Sequence, residues 1–203
     1  MTTTTAGHGV AQEFPIEPGT LQQLRDKLVS DAATAGTLDV AYRTVDTAVG
    51  KLLVAATDAG LVRVAFACEG LDEVLTKLAE RISPRILQTP RRLEDVVRQL
   101  DEYFAGRRET FDLALDHRLS SGFRMNVHQY LPQIHFGQTM TYKQVAQRVG
   151  SPNAVRAVGT ACATNPLPVV VPCHRVLRSD GSLGGYVGGF EAKAALLDLE
   201  RAA

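Results

Sequence analysis

Three consecutive β-type segments joined by two tight turns constrain the fold of this chain more than any other feature. The segments lie within residues 41–67 and have the sequences YRTVDT, KLLVAAT and LVRVAFA. Short glycine-ended triplets separate them at Ala48–Gly50 and Asp58–Gly60. Turns of this length join neighbouring antiparallel strands. The pattern therefore predicts a small antiparallel sheet in the first half of the chain.

Two amphipathic helices are predicted to follow this sheet. Apolar residues recur every three or four positions over 71–82 and again over 93–104, which is the spacing of one helix face. Thr89–Pro90 has the composition of a helix start, and Gly106 follows the second helix as a stop. These helices and the strands predict an α/β unit.

Helix signals dominate the second half, where two short helices are predicted to meet at a tight corner. Thr141 and Gln144 have the spacing of a capping box for the first helix, and Gly150 ends it. Ser151–Pro152 then predicts the immediate start of the next helix, over 152–161. Such a pair is typical of a helix-turn-helix. A pair that only packs into a core is the alternative.

The chain divides into three predicted regions. Residues 1–17 are polar and irregular and predict a disordered segment, and leucines at helical spacing predict a short helix near 20–33. A helix that starts at Ser121 or Gly122 opens the second half. The regions are a leader at 1–40, an N-terminal α/β domain at 41–117 and a C-terminal domain at 118–203.

The distribution of charge indicates a polyanionic partner. The chain is neutral overall, with 22 basic and 22 acidic residues, yet residues 117–179, the acid-free segment, contain no aspartate or glutamate. A local field of one sign on a neutral protein is typical of a surface that binds DNA. Chance, with salt bridges to acidic residues elsewhere, is the alternative. The cations of the segment are Arg118, Arg124, Lys143, Arg148, Arg156, Arg175 and Arg178.

Composition argues against several classes of protein. No apolar run reaches the roughly 18 residues that a membrane helix needs, and we expect no secretory signal, because the first residues lack its basic and apolar regions. Three cysteines, Cys68, Cys162 and Cys173, are too few for a disulfide framework and favour a reducing cytoplasm. No cysteine or histidine spacing is typical of a metal site, so we expect no metal and no cofactor.

The sequence VVVPCHRVLRSDG at 169–181 carries the most reactive side chains. Its valines predict a buried strand that ends beside Cys173 and His174. Neighbouring cations favour the nucleophilic thiolate, although a cysteine that only packs in the core is the alternative. Adjacent side chains do not face each other, so a bridging water fits this spacing as well as a direct hydrogen bond. The acids available to orient the histidine are Asp180, Glu191, Asp198 and Glu200.

Taken together, these motifs resemble one known family. VVVPCHRV resembles the active-site motif of the O6-alkylguanine-DNA alkyltransferases, or methylated-DNA–protein-cysteine methyltransferases. The resemblance runs from Phe123 to Glu200 through FGQTMTYKQVA, AVRAVG, Asn165–Pro166, GGYVGG and ALLDLE, and includes 42–66 and 93–106. It implies an N-terminal, ribonuclease-H-like α/β roll with a small antiparallel sheet. It also implies a C-terminal winged-helix-like helix-turn-helix domain that carries the active-site cysteine.

This resemblance implies a DNA repair protein that acts once per molecule. Such a protein moves an alkyl group, usually methyl, irreversibly from O6 of guanine to its own cysteine, and the same chemistry would extend to O4 of thymine. Cys173 would be the acceptor, His174 a base acting through water, and Glu200 the acid that orients it. Asn165 would hydrogen-bond within the site. Tyr142 would donate to the guanine as negative charge develops there.

The resemblance also implies how the damaged base is reached. The target atom lies inside a duplex, so the base must be extruded, and Arg156 would fill the gap. The small residues of the second helix suit a close approach to the minor groove. We expect the DNA-binding residues to be Arg156, Ala154, Ala157, Gly159, Ser151, Lys143 and Arg124. We expect the alkylguanine pocket to be formed by Tyr186, Val187, Gly188 and Val176.

A few positions depart from the family pattern. His128 stands where relatives often have tryptophan, Pro132 lies late in the same helix, and Val187 replaces a smaller loop residue. Cys162 is interpreted as a packing residue. The family's N-terminal zinc site has no counterpart here, and the leader lies outside the resemblance.

Two rival functions explain less of the sequence. A thiol hydrolase with a Cys-His-Glu triad would leave the acid-free segment unexplained. A non-catalytic reader of alkylated DNA would resemble the C-terminal domain, but such relatives lack the cysteine. We therefore expect a cytoplasmic monomer, nucleoid-associated if bacterial, whose partner is double-stranded DNA containing O6-alkylguanine, with no membrane association.

Overall fold

The computed structural model describes residues 18–89 and 91–202 of the chain. Its helices are α1 (Pro18–Thr34), α2 (Leu71–Arg81), α3 (Glu94–Phe104), α4 (Gly122–Tyr130), α5 (Tyr142–Arg148), α6 (Val155–Ala163) and α7 (Gly189–Ala202). Its strands are β1 (Val40–Thr47), β2 (Gly50–Thr57), β3 (Gly60–Phe66), β4 (Ile86–Gln88), β5 (Met140–Thr141) and β6 (Val176–Leu177). Within the described ranges, no helix has both the length and the apolar character needed to cross a bilayer. The predicted disordered segment at 1–17, and Pro90 of the predicted helix start, lie outside these ranges.

The first four strands form one sheet in the order β3-β2-β1-β4. Both predicted hairpins are confirmed, with Thr47 paired to Gly50 and Thr57 to Gly60. The sequence does not predict β4, which joins β1 in parallel and makes the sheet mixed rather than purely antiparallel. A Cβ at Gly60 would lie 2.2 Å from the carbonyl oxygen of Ala114, so the second turn requires glycine.

Apolar packing covers both faces of this sheet. One face places Val40, Leu53 and Val62 against Val74 and Leu78 of α2. The opposite face belongs to a larger core that continues into α3 and the C-terminal helices. The two halves of the chain therefore share buried surface, and the predicted boundary between residues 117 and 118 stays a prediction.

The predicted helix-turn-helix pair corresponds to α5 and α6, with one correction at its corner. The capping box is confirmed, since Gln144 N donates to Thr141 Oγ1 at 3.2 Å and Thr141 N donates to Gln144 Oε1 at 2.7 Å. The prediction that Ser151–Pro152 starts the next helix is wrong, because α6 begins at Val155. Ala154 N donates to Ser151 O at 2.9 Å, so the proline lies in a separate turn.

His128 is a buried polar link between α4 and α6. Its Nδ1 lies 2.8 Å from Ser120 Oγ, and its Nε2 lies 2.8 Å from the carbonyl oxygen of Ala161. Because a carbonyl only accepts, the proton is on Nε2 and Nδ1 accepts from the serine. Pro132 does not kink α4, which ends at Tyr130 before the 3₁₀ turn that contains the proline.

Candidate active site

Cys173 begins a 3₁₀ turn over residues 173–175, and the segment before it is not the strand that its valines predict. Val169 has a φ of 73°, in the left-handed region where β-branched residues are rare. Val171 N donates to Leu167 O at 2.7 Å, and Cys173 N donates to Val171 O at 2.8 Å. Tight local turns therefore satisfy this backbone in place of a strand ladder. Such strain costs about 1–3 kcal/mol and persists only where the surroundings are rigid.

Asn165 anchors these turns and contacts the thiol. Its side chain is buried, with Nδ2 donating to the carbonyl oxygen of Val171 at 2.8 Å and to Cys173 Sγ at 3.2 Å. Its Oδ1 accepts from Leu167 N at 3.0 Å, which fixes the orientation of the amide. A donor held beside the sulfur stabilises a thiolate more than a thiol. The structure thus brings together two of the residues that the sequence predicts.

The thiol of Cys173 is only 2% exposed and is protonated at neutral pH. Burial raises its pKa to about 11, against the opposing effects of the Asn165 hydrogen bond and the charge of Lys193. Lys193 is itself fully buried and donates from Nζ to the carbonyl oxygen of Val176 at 2.7 Å. Sequence reasoning missed this lysine, since a lysine on a helix is ordinarily exposed. A base must therefore remove the thiol proton before attack.

His174 has the geometry of such a base. Its Nε2 lies 2.8 Å from Glu200 Oε1, whereas its buried Nδ1 has no hydrogen-bond partner among the described residues. Because a carboxylate only accepts, the proton is on Nε2 and the lone pair of Nδ1 is available. Burial lowers the pKa of His174 despite the carboxylate, so the ring is neutral. No direct hydrogen bond joins it to Cys173 within the described ranges.

Glu200 is the acid that reaches the histidine, out of the four that the sequence leaves open. It also accepts from Tyr103 Oη at 2.7 Å, from Arg175 Nε and Nη2 at 2.9 Å each, and from Gly137 N at 3.3 Å. Burial acts to raise the pKa of Glu200, but the hydrogen bonds from His174 and Arg175 outweigh it and lower the pKa to about 2. Glu200 is therefore ionised throughout the physiological range.

The sequence motifs do not predict a place for Arg175 or Tyr103 in this network. Arg175 also donates from Nη1 to the carbonyl oxygen of Ile134 at 2.6 Å. Its position directly after His174 in the motif is the one sequence signal that could have indicated its place near the active site. Tyr103 lies on α3 in the first half of the chain, 97 residues before Glu200. No local pattern indicates that contact.

The glycine-rich loop at residues 184–189 packs closely against two aromatic residues. A Cβ at Gly184 would lie 2.1 Å from Tyr142 Oη, and one at Gly188 would lie 2.6 Å from the ring of Phe66. Tyr186 makes edge contacts with Phe66 at 5.6 Å and with His174 at 6.3 Å between ring centroids. Burial raises the pKa of Tyr142 to about 12, so it remains a hydrogen-bond donor. The loop therefore adjoins the cysteine site through Tyr186, and the assignment of Tyr186, Val187, Gly188 and Val176 to the alkylguanine pocket stays a prediction.

The other two cysteines have different surroundings. Cys68 is exposed and donates weakly from Sγ to the carbonyl oxygen of Val187 at 3.5 Å. Cys162 is buried in the core shared by the two halves of the chain, where burial raises its pKa further than that of Cys173. Within the described ranges, no group of three or more His, Cys, Asp or Glu is arranged to hold a metal ion.

The candidate DNA-binding residues lie mainly on α5, α6 and the corner between them. Arg156 is exposed in the first turn of α6, with Ala154, Ala157 and Gly159 half-buried near it. Small side chains at these positions leave the helix backbone open to close approach. The remaining candidates are Ser151 at the corner, Lys143 on α5, and Arg124 on α4 beside a cavity of about 460 Å³.

Among the residues that the structure describes, most cations of the acid-free segment have no acidic partner within salt-bridge distance. Arg118 pairs with Asp116, and Arg175 pairs with Glu200. In the described part of the chain the others make no salt bridge, which argues against the alternative of internal charge pairing. The unpaired cations are Arg124, Lys143, Arg148, Arg156 and Arg178.

Comparison with known proteins matches both halves of the chain. The model of the 6-O-methylguanine DNA methyltransferase ribonuclease-like domain matches residues 40–117. The model of the DNA-binding domain of the same methyltransferase matches residues 122–202. Together the two models cover every described strand and every α-helix except α1.

Relatives and solved structures agree with these models. The methylated-DNA–protein-cysteine methyltransferase of Mycolicibacterium paratuberculosis is 40% identical over 162 residues, which cover 80% of this chain and 93% of that protein. The constitutive enzyme of Bacillus subtilis is 40% identical and covers 79% and 94%. The crystal structure of Mycobacterium tuberculosis O6-methylguanine methyltransferase is 36% identical, with a TM-score of 0.70 and coverage of 80% and 93%. The same organism's OGT in complex with DNA has a TM-score of 0.68, with the same identity and coverage.

The predicted resemblance is therefore confirmed over both domains, from the mixed sheet to the helical DNA-binding half that carries Cys173. The chain belongs to the O6-methylguanine DNA methyltransferase family.

Proposed function

We propose that this protein, a methylated-DNA–protein-cysteine methyltransferase that repairs O6-methylguanine in DNA, takes the methyl group onto Sγ of Cys173. The observation that carries this assignment is the arrangement around the sulfur. Among the contacts of the described residues, Cys173 alone of the three cysteines has both an amide donor at 3.2 Å and an adjacent buried imidazole with a free nitrogen. Within the same residues, the exposed Cys68 and the packed Cys162 have neither.

The transfer is a displacement at the methyl carbon. His174 Nδ1 takes the thiol proton through a water molecule, and Glu200 stabilises the imidazolium that forms. The thiolate then attacks the methyl carbon, so that the S–C bond forms as the bond from carbon to O6 breaks. Negative charge develops on the guanine ring, where the Tyr142 hydroxyl donates to it. The guanine gains one proton in place of the methyl group.

Protein and DNA are both changed permanently by this step. The cysteine ends as a thioether, which has no acidic proton and is a poor leaving group, and the DNA regains guanine. Each molecule therefore acts once, and the reaction needs no cofactor because the protein itself is the acceptor.

The protein binds DNA, and the α5–α6 pair with its unpaired cations is the surface that we assign to this contact. Arg156, exposed and free of salt bridges in the described chain, would enter the duplex where the guanine is extruded. Extrusion costs a few kcal/mol, which the inserted side chain and the phosphate contacts offset. The half-buried small residues of α6 allow the backbone to approach the minor groove.

Intact-mass measurement tests this proposal. Wild-type protein mixed with a duplex containing O6-methylguanine should gain the mass of one methyl group, and peptide mapping should place it on Cys173. Cys162→Ser and Cys68→Ser are matched controls and should still be methylated. Methyl transfer that continues beyond one equivalent, or that survives Cys173→Ser, would overturn the assignment and favour a thiol hydrolase or another acceptor.

A further inference from the structure

Strand β3 of the N-terminal half contacts the Asn165–Pro166 turn directly. Val64 N donates to the carbonyl oxygen of Pro166 at 2.9 Å. Arg63 Nη1 donates to the same oxygen at 3.2 Å and to the carbonyl oxygen of Asn165 at 3.5 Å. The contacts join residues more than 100 positions apart and satisfy both backbone carbonyls of the turn.

Arg63 is itself held in place. Its Nη2 forms a salt bridge with Glu69 Oε2, while Glu69 Oε1 accepts from Phe66 N at 2.9 Å. The side chains of Arg63 and Glu69 are only 16% and 18% exposed, so solvent screens the pair less than a surface pair. A guanidinium is planar and rigid, so one group can serve the carboxylate and the turn at the same time.

The other side of the same turn faces the reactive sulfur. The Asn165 backbone carbonyl meets Arg63, whereas its side-chain Nδ2 donates to Cys173 Sγ at 3.2 Å. Hydrogen-bond strength falls steeply with distance and misalignment. A small shift of the turn would therefore weaken the contact that favours the thiolate.

We propose that Arg63, fixed by Glu69, is a positioning residue for methyl transfer, which holds the Asn165–Pro166 turn so that the Asn165 amide faces the Cys173 sulfur. The N-terminal half thereby sets the reactivity of a thiol in the C-terminal half. This inference rests on the proposed function, because it takes Cys173 as the acceptor.

The proposal predicts a specific pattern of kinetic effects. Without the guanidinium, the amide stabilises the thiolate less, so the pKa of Cys173 rises and transfer slows. The expected loss is about tenfold at neutral pH, which corresponds to about 1.4 kcal/mol. DNA binding should not change, because Arg63 acts on the turn and not on α5 or α6.

The test compares Arg63→Met, Arg63→Lys and Glu69→Gln with Arg85→Met. Arg85 is the matched control, since it forms an exposed salt bridge with Asp39 in the same half of the chain. Single-turnover rates with free O6-benzylguanine across a range of pH measure transfer without base extrusion. Arg63→Met should slow transfer and move the pH–rate midpoint upward, Arg63→Lys should recover part of the rate, and Arg85→Met should leave both unchanged.

A second comparison asks whether Arg63 acts through Asn165. In an Asn165→Ala background, Arg63→Met should have little further effect on the rate, as expected for residues acting in series. Fully additive losses, or a slower rate with an unmoved pH–rate midpoint, would overturn the proposal. If Arg63→Met does not fold, the transfer rate and pH–rate midpoint of Glu69→Gln test the proposal instead. If wild-type protein carries no methyl group on Cys173 after reaction with methylated DNA, the proposed function is refuted. If the wild type is methylated but Arg63→Met transfers at the wild-type rate, only this inference is refuted.

Discussion

Replacing Glu200 with glutamine should destabilise the protein in a way that depends on pH. Burial by itself would raise the pKa of this carboxyl, but the hydrogen bonds from His174 and Arg175 lower it from 4.5 to about 2. Glutamine keeps the shape of the side chain and loses its charge. Arg175, which is 5% exposed, is then left buried without its counter-charge.

The size of the effect follows from the difference in pKa. A change from 4.5 in the unfolded chain to about 2 in the folded one corresponds to roughly 3 kcal/mol of stability. Because the pKa of Glu200 is lower in the folded protein than in the unfolded chain, this stabilisation is fully present above the pKa of the unfolded state. It is lost as the pH falls through the pKa of the folded state. The unpaired Arg175 adds to the loss at neutral pH.

Denaturant titrations of wild type and Glu200→Gln at a series of pH values measure this difference. The gap in unfolding free energy should be at least roughly 3 kcal/mol at neutral pH and should narrow below pH 4.5, the ordinary pKa of glutamate. Asp39→Asn, which removes the half-buried partner of the exposed Arg85, is the control and should have a far smaller effect. Tyr103→Phe removes one hydrogen-bond donor to the same carboxylate, so its difference from wild type in unfolding free energy should be smaller than that of Glu200→Gln. A gap that stays constant with pH would refute the reasoning.

Three further predictions concern the reaction and DNA binding. Arg156→Ala should weaken repair of duplex DNA far more than transfer from free O6-benzylguanine, because only the duplex has a gap to fill; equal losses in parallel rate measurements would assign the arginine to the fold or the pocket. His174→Ala should slow transfer by about 10²-fold or more at neutral pH. The loss should shrink as the pH rises toward the Cys173 pKa of about 11, because the thiol then ionises without the histidine. A pH–rate profile with free O6-benzylguanine tests this, and a loss in rate that is constant with pH would contradict it. Cys173→Ser should abolish transfer but keep DNA binding, with a log–log salt slope of about −0.9 per phosphate contacted; fluorescence anisotropy on two unrelated duplexes measures it, and salt-independent binding would argue against a phosphate-contacting surface.

Local elements were predictable because their determinants lie within a few residues of one another. Glycine turns specify the two hairpins, and Thr141 and Gln144 cap α5 through contacts three residues apart. The same reasoning failed at Ser151–Pro152 and at Val169, where a turn replaces the expected helix start and strand. At Ser151–Pro152 the turn is mostly exposed and closes through the local bond from Ala154 N to Ser151 O, which a helix-start pattern does not distinguish. At Val169 the turn is buried and is held by the Asn165 side chain, a contact that the run of valines does not reveal.

The reactive pair Cys173 and His174 was visible in the sequence because the two residues are adjacent, and their motif is specific enough to indicate the family. Tertiary structure decided what surrounds them. Glu200 reaches His174 from 26 residues away, Tyr103 reaches Glu200 from 97, and Arg63 reaches the Asn165 turn from 102. Contacts over such separations form only when the sheet and the helices close over their shared core. Periodicity and capping act within one element and carry no information about which distant side chains that closure brings together.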